Sequence, residues 1–230
     1  MRSVAIIQSN YVPWVGYFNI ISSVDHFVLL DDVQFTRRDW RNRNLISTEQ
    51  GPRWLTIPVN VKGNFNIKID EVLASGTTWR VDHWNLLDNT YRKFPYFGLF
   101  ASSFRHQYLS NSEVKLSAIN FGFISLINQI LHVNTPISWS MEYPNCPAEK
   151  SERLLHICKC LRADTYVSGR LAQSYLDVRK FEKAGVAVKW IDYPNYLGKM
   201  PGFVSGVSVI DTIFRFGPNT KSLLVEKLWE

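Results

Sequence analysis

Four short apolar runs set the strongest limit on the fold: Val4–Ile7 and His26–Leu30 near the start of the chain, Thr165–Val167 and Val186–Trp190 near its end. Each is too short for a helix and is bounded by polar residues, which is how a strand buried on both faces reads in sequence. Helical spacing fills the gaps. Tyr17–Ser23 lies between the first two runs, Asp177–Ala184 between the last two, and Glu149–Cys160 leads into the third. Gly185 stands where a helix is expected to end, and Ser208 where a helix running to Phe214 is expected to begin. Strands alternating with helices imply parallel pairing, since a parallel neighbour is reached only by a crossover.

The middle of the chain breaks this alternation. Between Gln34 and Glu71, the runs Asn44–Thr48 and Arg53–Val59 flank the turn signal Glu49-Gln50-Gly51-Pro52, as two antiparallel strands would. From Thr78 to Ile130 the pattern is helical, with Trp79, His83, Leu86 and Leu87 in one register, a break at Pro95 and a long apolar segment from Leu116. Thr220–Leu228 reads as a last helix. The expected architecture is one domain over residues 1–230: an α/β fold with an open, mostly parallel, Rossmann-like sheet, an antiparallel strand insertion and a helical subdomain, the inserted region spanning about 34–135.

Composition narrows the class further. A chain of 230 residues that is 46% hydrophobic buries a full core without disulfide or metal staples. The three cysteines make no disulfide framework, and Cys158 and Cys160, two apart on a helix, fall on different faces. The N-terminal apolar run is too short for a signal peptide, and no stretch reaches the roughly 18 to 20 apolar residues of a membrane span, so a cytoplasmic protein without a membrane span is expected. The net charge of +6 suits a phosphate-bearing partner, weakly.

In an open parallel sheet, ligands bind beyond the carboxyl ends of the strands, where loops converge and helix N-termini present unpaired N–H groups. That rule selects Gln8–Tyr17, Asp31–Arg43 and Ser168–Tyr175. The first segment places Gln8, Asn10, Trp14 and Tyr17 around Pro13 and Gly16, where Gly16 either shapes the turn or admits a ligand close to the helix start. It is neither a P-loop nor a dinucleotide fingerprint. Asp31 and Asp32 are adjacent carboxylates whose side chains point opposite ways on an extended chain, so at most one faces a ligand. The stretch Arg37 to Asn44 holds four arginines within seven positions around Trp40, with Asn42 and Asn44 beside them. Such a cluster clamps a diphosphate while an aromatic ring stacks, or it is a solvated basic loop. It is short and isolated, so no nucleic-acid partner is expected. Among the histidines, His83 and His156 are placed as candidate general bases on helices, although helix histidines are commonly structural. No His/Cys spacing matches a zinc site, and no metal is expected.

Several of these stretches carry a resemblance. Gln8 to Phe18, Asp31-Asp32-Val33-Gln34-Phe35, Asn42-Arg43-Asn44, Trp54 to Val59, Asn89 to Phe97, Ser151 to Leu155, Ala163 to Gly169, and Ser208 to Asp211 with Gly217 resemble, in this order, the motifs of the WbqC-like family. The polar positions that match are Gln8, Asn10, Tyr17, Asp31, Asp32, Gln34, Asn42, Arg43, Asn44, His83, Tyr91, Glu152, Arg153, Ser168, Gly169 and Tyr175. Ile7 and Ser9 depart from the family's His or Met before the Gln and Pro after it.

The resemblance implies a role in bacterial O-antigen and other surface-polysaccharide pathways, as an enzyme that attaches an aminoacyl, glycyl or similar small acyl group to the amine of a nucleotide-linked amino sugar. The expected base is His83, or Asp31 or Asp32. The oxyanion is expected to meet Asn10, Gln8 or Ser168 with the Gly169 N–H. Arg43 with Arg41 or Arg38 is expected to hold the diphosphate, Trp14 or Trp40 to stack, and Tyr17, Gln34, Asn42, Asn44 and Tyr175 to complete the substrate site. The acyl donor is not identifiable from sequence, and a homo-oligomer is compatible with it. Two alternatives stand beside this reading: a non-catalytic nucleotide-sugar binding or assembly protein, and a nucleotidyltransferase-like enzyme, for which the His-x-Gly-His signature is missing.

Overall fold

The computed structural model of the protein describes residues 1–196 and 200–229. In chain order its strands are β1 (Ser3–Ile7), β2 (His26–Leu29), β3 (Arg43–Thr48), β4 (Gly51–Thr56), β5 (Ile137–Trp139), β6 (Thr165–Ser168) and β7 (Ala187–Trp190). The α-helices are α1 (Val15–Ser22), α2 (Thr78–Tyr91), α3 (Phe97–Leu109), α4 (Leu116–Leu131), α5 (Lys150–Cys160), α6 (Val178–Lys183) and α7 (Val209–Phe216).

The apolar runs pair with one another in a five-stranded, wholly parallel sheet of order β5-β2-β1-β6-β7, while β3 and β4 form a separate antiparallel pair. Alternate strand residues face opposite layers, as the two-residue period of a strand requires. Ala5, Phe27, Leu29 and Val167 join the core packed by α1, α2, α3, α4 and α7, whereas Val4, Ile6, Val28 and Tyr166 join the one packed by α5 and α6. Both faces of the sheet are therefore covered, which accounts for strands that read as continuous apolar runs.

Helix boundaries follow local chemistry. The Ser208 hydroxyl accepts from Ile210 N at the start of α7, and Glu149 caps α5 by accepting from Ser151 N and Glu152 N. Gly185, at φ +76°, follows α6 in the left-handed conformation that ends helices. Pro95 separates α2 from α3. Trp79, His83 and Leu87 are buried in one register of α2, as their spacing implies.

Two elements differ from the sequence expectation. Thr220–Leu228 is not an α-helix: Gly217–Leu223 forms a 3-10 helix and the chain beyond it is irregular. Pro218 lies in the first turn of that helix, and Gly217 at φ +56° is pressed so closely against Tyr96 that a Cβ there would lie 2.3 Å from the ring. β5 has only three residues, too few to show a period, and is held by its neighbour β2.

Candidate functional site

The chain leaves β1 toward β2 on one side and β6 toward β7 on the other, so the junction of β1 and β6 is the switch point of the sheet, where loops part and leave a crevice. The loop after β1 is held on every side. Ser9 N donates to Asp31 Oδ1 at 2.8 Å, Tyr11 N to the Trp40 carbonyl at 3.0 Å, and Val209 N to the Pro13 carbonyl at 2.9 Å. Asn44 Nδ2 donates to the carbonyls of Tyr11 (3.1 Å) and Val12 (3.0 Å). These bonds maintain Val12 at φ 37°, a conformation that costs a β-branched residue about 1–3 kcal/mol and that clusters at functional sites.

Beside this loop opens a cavity of about 350 Å³ lined by Asn10, Pro13, Trp14, Trp40, Asn44, Ser205 and Gly206. Its walls are aromatic. Trp14 packs against Tyr193 at 5.0 Å between ring centroids, and Trp40, 43% exposed, against Trp54 at 5.7 Å. Gly16 does not admit a ligand: a Cβ there would sit 2.2 Å from the Trp14 ring, so the glycine makes room for Trp14 itself. Arg41 turns inward, donating to Asn10 Oδ1 and, at 3.3 Å, to Gln8 Oε1, with Asp39 at 3.6 Å. Because both amide oxygens face the guanidinium, the Asn10 amide nitrogen is left as the donor of that cavity-lining side chain.

The two aspartates part as the strand alternation requires. Asp31 is buried toward α4, where it also accepts from Ser117 Oγ; Asp32 lies on the other side, accepting from Ser140 Oγ at 2.5 Å and pairing with Arg153 of α5 at 2.9 Å. Burial raises the Asp31 pKa against the opposing bonds from Ser117 and Ser9. Tyr17 donates to the Gln8 carbonyl at 3.1 Å, and burial holds its hydroxyl protonated.

His83 lies beneath the loop. Its Nδ1 is 2.9 Å from the Tyr11 hydroxyl, which is 2.7 Å from that of Tyr108. The nearby Thr56 backbone favours the protonated ring, but burial opposes it more strongly. Burial pushes its pKa down to about 4. A chain of bonds thus runs from Tyr108 through Tyr11 to His83.

The arginine cluster is divided. Arg41 serves Gln8 and Asn10; Arg43 donates to the Arg38 carbonyl and lies 4.2 Å over the Trp54 ring; Arg37 donates to the Val61 carbonyl at 2.6 Å; Arg38 lines a separate groove with Lys62. Asn42 bonds the Ile57 carbonyl at 2.8 Å and Gln34 the Phe65 carbonyl at 2.6 Å. Ser168, Gly169 and Tyr175 are not among the cavity-lining residues: Ser168 is buried, Gly169 precedes a 3-10 helix, and Tyr175 is exposed beside Lys150.

The structure therefore gathers Gln8, Asn10, Trp14, Trp40, Arg41 and Asn44. It places Tyr17, Asp31 and His83 behind them and Asp32, Gln34, Ser168, Gly169 and Tyr175 elsewhere. Sequence reasoning missed Pro13 as a wall and overlooked Ser205 and Gly206. The turn-rich run Pro201-Gly202-Phe203-Val204-Ser205-Gly206 was the available signal. Among the described residues no group of three His, Cys, Asp or Glu side chains is placed to hold a metal ion, and no helix is long and apolar enough to cross a membrane.

Comparison with known proteins agrees with the motif order. The WbqC-like protein family matches residues 8–223. The chain belongs to the WbqC-like family. An uncharacterized protein of Mycobacterium tuberculosis is 40% identical over 227 residues, covering 97% of this chain and 98% of the relative. No solved structure matches significantly. In this WbqC-like chain the family match begins at Gln8, the first residue of the loop that builds the cavity.

Proposed function

We propose that this chain is an N-acyltransferase that places a small acyl group on the amine of a nucleotide-linked amino sugar during surface-polysaccharide assembly. The observation that carries the reading is the Asn10 amide, oriented by Arg41 inside an aromatic-walled cavity beside the loop after β1. Faces of Trp14 and Trp40 suit a sugar ring, which is apolar on its faces and polar at its edge. In the reaction, the amine lone pair attacks the donor carbonyl carbon, the C–N bond forms, and the negative charge on the carbonyl oxygen is met by the Asn10 N–H. Collapse expels the donor's leaving group, and the nitrogen loses its proton to solvent. An amine with a pKa near 8, as for an α-amino group, is roughly a tenth unprotonated at pH 7, so a strong base is not required. His83 serves as a positioning residue, holding the loop through Tyr11.

Asn10→Asp keeps a partner for Arg41 but removes the donor. Turnover of an amino-sugar nucleotide is expected to fall about 100-fold, as for loss of one oxyanion donor. The measurement is mass gain on a panel of amino-sugar nucleotides supplied with defined acyl donors; an unchanged rate in Asn10→Asp removes Asn10 from the mechanism.

A second reading, a non-catalytic nucleotide-sugar binding protein, is favoured by one observation: among the described residues none of the cavity-lining side chains is a carboxylate, histidine, lysine or cysteine. It expects ligand binding with no mass gain from any donor.

A further inference from the structure

Arg37, Arg38 and Lys62 line hollows that share no lining residue with the aromatic cavity. All three line one hollow of about 280 Å³, and a second of about 330 Å³ shares Phe35, Arg37 and Val61 with it. No carboxylate lines either hollow, and among the described residues none lies within ion-pair distance of these three cations. Other clustered bases have a carboxylate partner: Arg153 pairs with Asp32, Arg215 with Asp211, and Lys180 with Glu149 and Glu152. Holding like charges together without a counter-charge is unfavourable, and an anionic ligand relieves it.

One further feature points to what the anion is attached to. Phe65 at one end of the groove is 72% exposed, with the Arg37 guanidinium 5.5 Å from its ring centre, so a planar ring finds a stacking surface beside the charges. Asn42 lines the other hollow, and its Oδ1 is buried without a partner. Arg38 is in the left-handed region at φ 59°, and its carbonyl is held by the Arg43 guanidinium.

We propose that this groove binds a nucleoside diphosphate, the phosphates between Arg37, Arg38 and Lys62 and the base against Phe65. The inference extends the proposed acyl transfer, in which the same chemistry arrives from two sources: the carrier of the amino sugar, or an adenosine-diphosphate-bearing acyl donor of the coenzyme A class. It moves the diphosphate away from Arg41, which is committed to Gln8 and Asn10, to the hollow that Arg38 lines with Lys62.

The test is calorimetric titration of the full chain with UDP, ADP, uridine, adenosine and inorganic pyrophosphate, which needs no turnover and so can fail or succeed independently of the acyl-transfer reading. The expected result is binding of at least one diphosphate nucleotide, weakened by salt. It should fall about 10-fold or more in Arg38→Glu and in Lys62→Glu. Phe65→Ala weakens the nucleotide but not pyrophosphate. Preference for UDP assigns the groove to the sugar carrier, preference for ADP to the donor, and equal binding to the shared diphosphate. All three variants change exposed side chains, and unchanged thermal unfolding verifies their folding. The inference is overturned if no nucleotide binds at millimolar concentration, if both charge reversals leave binding intact, or if the nucleosides bind as tightly as their diphosphates.

Discussion

The two loops that leave the sheet at its switch point differ in construction. The one after β1 is buried, strained at Val12, and tied by side-chain and backbone bonds to β3, α4 and α7. The one after β6 lies open: Leu171 is 91% exposed, and its backbone bonds are local, from Ala172 N to the Gly169 carbonyl and from Tyr175 N to the Ala172 carbonyl. Preorganised sites are built on segments whose geometry is imposed by neighbours, so chemistry is expected at the first loop and mobility at the second.

The strongest challenge to this contrast is pH. His83, an anchor of the first loop, has a folded pKa of about 4 against 6.5 in the unfolded chain, so between these values the unfolded state binds more protons and stability falls as pH falls. The full loss across the window is about 3 kcal/mol, read from urea unfolding between pH 7 and 4. His83→Gln should abolish this component; an unchanged pH slope would show that the ring is not held neutral.

A smaller effect tests the strained turn. Asn44→Ala leaves the Tyr11 and Val12 carbonyls without their donor and is expected to cost about 2 kcal/mol in chemical denaturation. A matched pair of glycines sharpens the comparison at the lowest energies. Gly16→Ala drives a methyl into the Trp14 ring and is expected to cost about 1–2 kcal/mol while shifting tryptophan fluorescence. Gly169→Ala meets nothing within 4 Å at an ordinary φ of −68° and is expected to stabilise by about 0.5 kcal/mol through the unfolded chain. Equal effects at the two sites would remove the distinction between the loops.

The candidate site was partly readable in advance. Strand ends pointed to the segments holding Gln8, Asn10 and Trp14, and to Arg41 and Asn44, because a parallel sheet leaves little choice of where loops converge. The same rule selected Ser168, Gly169 and Tyr175, which sit apart from the cavity. A strand end specifies a region, and the direction the following loop takes depends on what packs beneath it. The four arginines, within seven positions in sequence, read either as a diphosphate clamp built on Arg43 with Arg41 or Arg38, or as a solvated basic loop. The turn carrying Arg38 at φ 59° and the inward pull of Gln8 and Asn10 on Arg41 divide them between two faces.

Apart from β5 and the C-terminal segment, the chain by itself determined the order of strands and helices and the two-sided burial of the sheet, because these depend on apolar runs and periods within a few residues of one another. Only the tertiary structure decided that Asn10 meets Arg41, 31 residues away, that Ser205 and Gly206 close the cavity, and that His83 supports Tyr11. Such meetings depend on packing among distant segments, which no local pattern in the sequence records.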